Sequence, residues 1–481
     1  FGSSNFGSGV GPRGIYSFHF AKGYIYFLLV MKFYKEQFDS DAETAWQEDD
    51  TPSDSGFRAK LRPNLEANWR VYASGCCCCG LSLYIVACML IGYFTVTIRP
   101  FGMDINDDVW HSAEVMPPDF PRYAGCGACP AGVKTDAEID ACGGTCFSSK
   151  LINDWEAFNK RHPFKAVFFP SRAGTAGQQV VNVSALWLPG DKSRVGPHAE
   201  PARIVIQHGL PSNYNHCGVQ MLAFHLRSMG FDCLTPTLRN WGLSGTSLNK
   251  VSWGYEYQYD LLGAWDYAVN DPDGVMGGAV DARRVGIVGF SLGGFVTQVA
   301  FGLEDRIPAA YVFAGPFGGL EDMISIYAKG FLGPFYFLAS KPIWWASLFW
   351  AGFPLDYMTP AQQIADCKPA SKKRAIGITA GLNDATVPIQ NAGELIMVTA
   401  SKPECYEVSQ VYTPMEGCGG YTHHMSPWQY PDWTRERQCQ YWSLVFARNA
   451  TFCGLGELPQ YQSGFRPALQ PVWTDVACSA N

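Results

Sequence analysis

The chain has 481 residues, with 36 Lys plus Arg against 43 Asp plus Glu and a net charge of −7. That length excludes a peptide or a small stapled scaffold, and the mild acidity excludes the basic footprint of a nucleic-acid binder. The charged fraction is only 16% and the aromatic fraction is 14%, which fits extensive burial, a membrane, or both, and not a disordered chain.

Residues 1–75 read as an N-terminal region. It opens Gly/Ser-rich, turns apolar and aromatic over 15–31, and becomes acidic over 37–56. Lys22 and His19 interrupt the apolar stretch. Its clean part is too short for the ~30 Å of bilayer hydrocarbon. An interfacial or partner-packed helix and a second spanning helix are the two readings of it.

Residues 76–99 predict a transmembrane helix, the alternative being a buried core helix. The run 80–98 carries no charge, and with Cys76, Cys77, Cys78 and Cys79 it exceeds twenty residues, enough to span a bilayer. Lys60, Arg62 and Arg70 precede it, and only Arg99 lies just after. The positive-inside bias then puts the N-terminal side in the cytoplasm and everything after residue 100 on the lumenal or extracellular side. The four cysteines beside the helix suit S-acylation. The sequons at Asn182 and Asn449 both follow the helix, as do twelve of the 17 cysteines. An even number is what a disulfide-paired ectodomain would carry, and the sequons are those of a glycoprotein.

Residues 100–150 form a cysteine-rich insert. Cys126, Cys129, Cys142 and Cys146 have a spacing that could bind zinc tetrahedrally. On the oxidising side of a membrane the same four thiols form two disulfides instead.

Over 151–481 the chain alternates strands and helices. Strands are predicted at 178–188, 202–207, 231–236, 283–289, 309–314, 374–380 and 406–412, with helices between them, for example 217–229 and 256–269. Several strands are apolar throughout and not alternating, which means burial on both faces. The expected fold class is α/β: a mostly parallel sheet with helices on both faces.

The sharpest local signal is Gly289-Phe290-Ser291-Leu292-Gly293, set between a β-branched strand and a helical run. A G-x-S-x-G at a strand-to-helix turn is a nucleophile elbow: the glycines admit a tight backbone that lifts the serine hydroxyl above the sheet edge. A base and an orienting acid must follow in chain order. Asp384 comes directly after the predicted strand 374–380, at the carboxyl edge that the elbow shares. Beyond it stand only His423 and His424, and one of them is the expected base, with His423 favoured. The two oxyanion donors are expected at the backbone amides of Leu292 and of Leu210, where Gly209 permits close approach. His208 is expected to fix that loop.

With these motifs in order, residues from about 170 to 450 resemble the α/β-hydrolase superfamily. The resemblance rests on His208-Gly209, the stretch FHLRSMGFDCLTPTLRNWGLSGTS, the GFSLGG elbow, G-x-x-D-x-x-V-P at Asp384 and the late histidine. Arg239 to Ser244 looks like the family's R-x-x-G-x-S loop, which is structural. Thr237 stands where the family usually has Asp. The resemblance looks strongest to esterase-like, lipase-like and acyl-peptidase-like members, and it implies a cap at 316–370, here rich in Phe and Trp. The expectation is a membrane-anchored serine hydrolase that cleaves an acyl or lipid ester with no cofactor and no catalytic metal. Two other readings share the residues: an acyltransferase, and an accessory subunit of a membrane complex with an idle triad.

Overall fold

The structure is a computed structural model. It describes residues 80–97, 127–128, 146–147, 149–194, 201–210, 213–214, 216–368, 373–381, 384, 386–412 and 431–446. Phe1–Gly80 and Leu81–Asn481 are separate compact units.

Eight strands make one sheet: β1 (Lys165–Pro170), β2 (Asn182–Leu188), β3 (Arg203–Gln207), β4 (Asp232–Pro236), β5 (Val285–Phe290), β6 (Ala309–Phe313), β7 (Arg374–Ala380) and β8 (Tyr406–Tyr412). Their spatial order is β8-β7-β6-β5-β3-β4-β2-β1. β2 is antiparallel to both β1 and β4, and every other pairing is parallel. β3 to β6 are buried along their whole length, as covered parallel strands must be. The predicted strands are all present, trimmed by a few residues. β1 is an addition that the sequence reading lacked.

Helices α1 (residues 80–96), α2 (Ser149–Arg161), α3 (Cys217–Ser228), α4 (Tyr257–Asn270), α5 (Leu292–Leu303), α6 (Leu320–Leu332), α7 (Phe337–Ala351), α8 (Pro360–Ala365), α9 (Gln390–Ala400) and α10 (Pro431–Val445) complete the described elements used below. Two cores result. One joins the sheet to α4, α5 and α9 through Leu261, Trp265, Phe295, Val299 and Leu395. The other joins it to α2, α3 and α10 through Trp155, Leu222, Leu226 and Trp442. Gly286 is where α10 comes closest, since a Cβ there would sit 2.4 Å from the Trp442 ring.

Between β6 and β7 the chain makes α6, α7 and α8. α1 packs on this segment. Thr95 Oγ1 and Ser347 Oγ lie 2.8 Å apart, and Trp350 donates its indole N–H to the Met89 carbonyl at 3.0 Å. The end of α1 joins the body where Val251 N–H donates to Val96 O at 2.9 Å. No helix among the described residues is long and apolar enough to cross a membrane, and residues 76–79 and 98–99 of the predicted span lie outside them.

The cysteines divide. Cys367 and Cys405 are joined by a disulfide that ties the chain leaving α8 to the start of β8. Cys233 is a free thiol inside the second core, and burial drives its pKa far up. The twelve cysteines after α1 are therefore not a full set of pairs, because Cys233 is sealed among apolar neighbours. Cys126, Cys129 and Cys142 lie outside the described residues. Of the fourth, Cys146, only the backbone is described, in a two-residue strand parallel to Gly127–Ala128.

Candidate active site

β5 ends at Phe290 and α5 starts at Leu292, which leaves one residue to turn the chain. That residue is Ser291, at φ 52° and ψ −120°. A left-handed φ is costly for any residue bearing a Cβ, on the order of 1–2 kcal/mol. The surroundings hold it there. Ser291 N–H donates to Phe313 O at 2.9 Å, and Phe295 N–H donates to Ser291 O at 3.0 Å. The turn is too tight for side chains on either flank: a Cβ at Gly289 would meet Gly293 O at 2.0 Å, and one at Gly293 would meet His208 O at 2.3 Å. Ser291 itself is partly exposed while the strand before it and the helix after it are buried.

The loop after β3 closes on this turn. β3 and β5 are parallel with Gln207 opposite Gly289, so His208, Gly209 and Leu210 leave the sheet beside Ser291. A Cβ on Gly209 would stand 2.9 Å from Ser291 Cβ and 2.9 Å from Phe290 O. Leu292 is the first residue of α5, so its amide has no acceptor within the helix. Leu210 is half-buried against the first core.

His208 is the fastener of that loop. It is fully buried. Its Nε2 accepts from Leu238 N–H at 3.0 Å, and Nδ1 lies 2.7 Å from Gly209 O. The acceptor role of Nε2 puts the proton on Nδ1, which donates to Gly209 O. Burial holds the imidazole neutral, with its pKa pushed down to about 3.

Asp384 follows β7, which lies two strands from β5 across β6. At ~4.8 Å per strand the axes of β5 and β7 run roughly 10 Å apart. Asp384 is buried, and its Oδ1 accepts from Thr386 N–H and Val387 N–H, each at 2.8 Å. His423 and His424 lie outside the described residues. Both follow β8, the strand beside β7.

A buried ionic group braces the next loop. Arg239 donates to Asp260 at 2.7 Å and to Glu256 at 2.8 Å, with all three side chains inside. Burial raises both carboxyl pKa values against the pull of the guanidinium. A further residue went unread in the sequence. Gln298, nearly two turns into α5, donates to both Gly294 O and Pro316 O at 3.0 Å and so pins the elbow helix to the start of the segment that carries α6 and α7. A glutamine two turns beyond an elbow serine on a buried helix face was the available signal.

The order of the sheet, with a strained serine between β5 and α5, decides the architecture. The fold is α/β: a mostly parallel eight-stranded sheet covered by helices on both faces.

No family model matches the sequence, and no curated protein matches it. Among solved structures, this chain is similar to an esterase of Pyrococcus furiosus at 16% identity, with 61% of this chain and 92% of that one covered and a TM-score of 0.42. It is similar to an acylaminoacyl peptidase of Pyrococcus horikoshii at 16% identity, covering 64% of this chain and 44% of that one, TM-score 0.41. A puromycin-hydrolyzing peptidase of Mycobacterium tuberculosis gives 17% identity, 60% and 40% coverage and a TM-score of 0.40.

Proposed function

We propose that the protein is a membrane-anchored serine hydrolase acting on acyl esters. The observation that carries this is Ser291, held at φ 52° on a strand-to-helix turn with the Gly209 loop packed against it. Strain of that kind persists where the surroundings over-determine it, and it is a mark of functional sites. In this reading Ser291 Oγ attacks the substrate carbonyl carbon. His423, or His424, takes the hydroxyl proton and returns it to the leaving group. Asp384, its Oδ1 already fixed by two amides, orients the imidazole. The Leu210 and Leu292 amides stabilise the oxyanion. Collapse of the tetrahedral species expels the alcohol and leaves an acyl-Ser291 ester, which water then hydrolyses.

An apolar acyl chain is the proposed specificity, supported by the exposed aromatics of α7. The proposed setting places the hydrolase domain across a membrane from the N-terminal side, with 76–99 as the anchor. The Cys367–Cys405 disulfide supports an oxidising compartment. A fluorophosphonate probe tests the enzyme: the folded protein is labelled, and Ser291→Ala is not. Labelling that survives Ser291→Ala, or no labelling of the wild-type chain, ends this reading.

A further inference from the structure

α7 is apolar on both sides. Its buried positions are Ser340, Ile343, Trp344, Ala346, Ser347 and Ala351, four of the six small, while Phe337, Leu338, Trp345 and Phe349 face outward, each more than half exposed. A helix folded in water places its large apolar side chains inward. Small residues at a helix–helix contact with bulky apolar residues outside is the packing of helices in lipid.

α1 has the same character. Residues 80–97 contain no Asp, Glu, Lys or Arg. Leu81 to Val86 are six consecutive exposed residues. At 100° per residue they cover every side of the helix, so a protein partner on one side would leave the rest in water.

The two helices clasp through small groups. A Cβ at Gly92 would lie 2.5 Å from Ala346 Cβ. The Tyr84 hydroxyl donates to Leu338 O at the other end of the contact. The pairs 84–338, 92–346 and 95–347 ascend together, so α1 and α7 run parallel. The polar side chains at the seam, Thr95 and Ser347, bond to each other and to Gly92 O and Ile343 O. Lys341 pairs with Glu321. Lys329, in the last turn of α6, has a stem long enough to carry its ammonium to a headgroup layer.

We infer that α1 and the α6–α7 hairpin sit together in the hydrocarbon of a lipid bilayer, so that the segment between β6 and β7, read as the cap of the proposed site, is itself embedded and an acyl substrate reaches that site from the lipid phase. The occupant of the apolar surface is lipid, because it surrounds α1 on all sides and continues without a charge on α1 onto the outward aromatics of α7. The seating rests on the membrane part of the preceding reading, and the substrate's route rests also on its catalytic part.

The test uses the full chain in phosphatidylcholine vesicles doped with a fluorescent phosphatidylcholine. A photoreactive benzoylphenylalanine replaces Trp345 or Phe349, with Met397, exposed on α9, as the control position. Irradiation is expected to attach fluorescent lipid at 345 and 349 at least about tenfold more than at 397. Equal labelling at all three positions overturns the seating. So does a cross-linked dimer, or a cross-link to residues 1–79, in place of the lipid adduct. Fluorophosphonate labelling in the same vesicles reads the catalytic proposal separately. A lipid adduct without that labelling keeps the seating and removes the enzyme, and labelling without an adduct does the reverse.

Discussion

The elbow and the α6–α7 segment are built on opposite rules. Around Ser291 there is no spare volume: Gly209, Gly289 and Gly293 bring backbones together where a methyl group would collide. Along α6 there is room, since Gly330 and Gly333 have nothing within 4 Å of a built Cβ. The packed region holds one strained residue in one geometry. The open region presents large apolar side chains to its surroundings. A site needs rigidity where bonds change and an adaptable surface where substrate arrives.

The sharpest way to break this comparison is at the nucleophile. Ser291→Ala should lower ester hydrolysis by about 10⁶ in kcat, measured with excess enzyme on a short acyl ester. A loss of tenfold or less would mean that the strained turn is not the reacting centre.

Next comes Gly293→Ala, whose methyl would press on the His208 carbonyl. It should cost about 3 kcal/mol, read as a lower midpoint in denaturant unfolding. Wild-type stability in this variant would show that the packed region yields as easily as the open one.

Asp356 lies where α7 returns to the body. Its Oδ1 accepts from Leu320 N–H at 2.8 Å and its Oδ2 from Glu321 N–H at 3.3 Å, at the N-terminus of α6. Burial nevertheless raises its pKa from 3.8 to about 6. An acid whose folded pKa is raised contributes fully below its unfolded pKa and loses that contribution as pH rises through the folded one. Stability should therefore fall between about pH 4 and pH 6, by an amount on the order of 2–3 kcal/mol. Asp356→Asn should flatten that segment of the curve, and an unchanged slope would rule the assignment out.

The smallest effect is Gly330→Ala. With open space around it in a helix, the substitution should stabilise by roughly 0.5–1 kcal/mol, seen as a small rise in Tm. A loss of stability there would mean that α6 is as tightly held as the elbow.

Most of the sheet was legible because burial on two faces writes itself as β-branched runs, as in Val285–Phe290 and Arg374–Ala380. β1 was not, because Lys165–Pro170 exposes four of its six residues and ends in proline. The elbow was legible because its demand for glycine is local. The contact of α1 with α7 was not. An uncharged run reads as a span at any place in a chain, and only the tertiary arrangement sets Gly92 on Ala346. The pairing of Cys367 with Cys405, and the isolation of Cys233, likewise depend on where the fold brings each thiol. Asp356 gave no signal, since its burial comes from a neighbour 36 residues away. Asp384 follows β7, and the choice between His423 and His424 falls on residues outside those described.

The disulfide has a practical consequence. Cys367 and Cys405 are 38 residues apart, and the interval between them holds β7, Asp384 and α9. A protease that nicks this interval releases nothing. The two fragments migrate as one band on a non-reducing gel and separate only when reductant is added, so a preparation cut beside Asp384 would pass for intact protein unless it were run both ways.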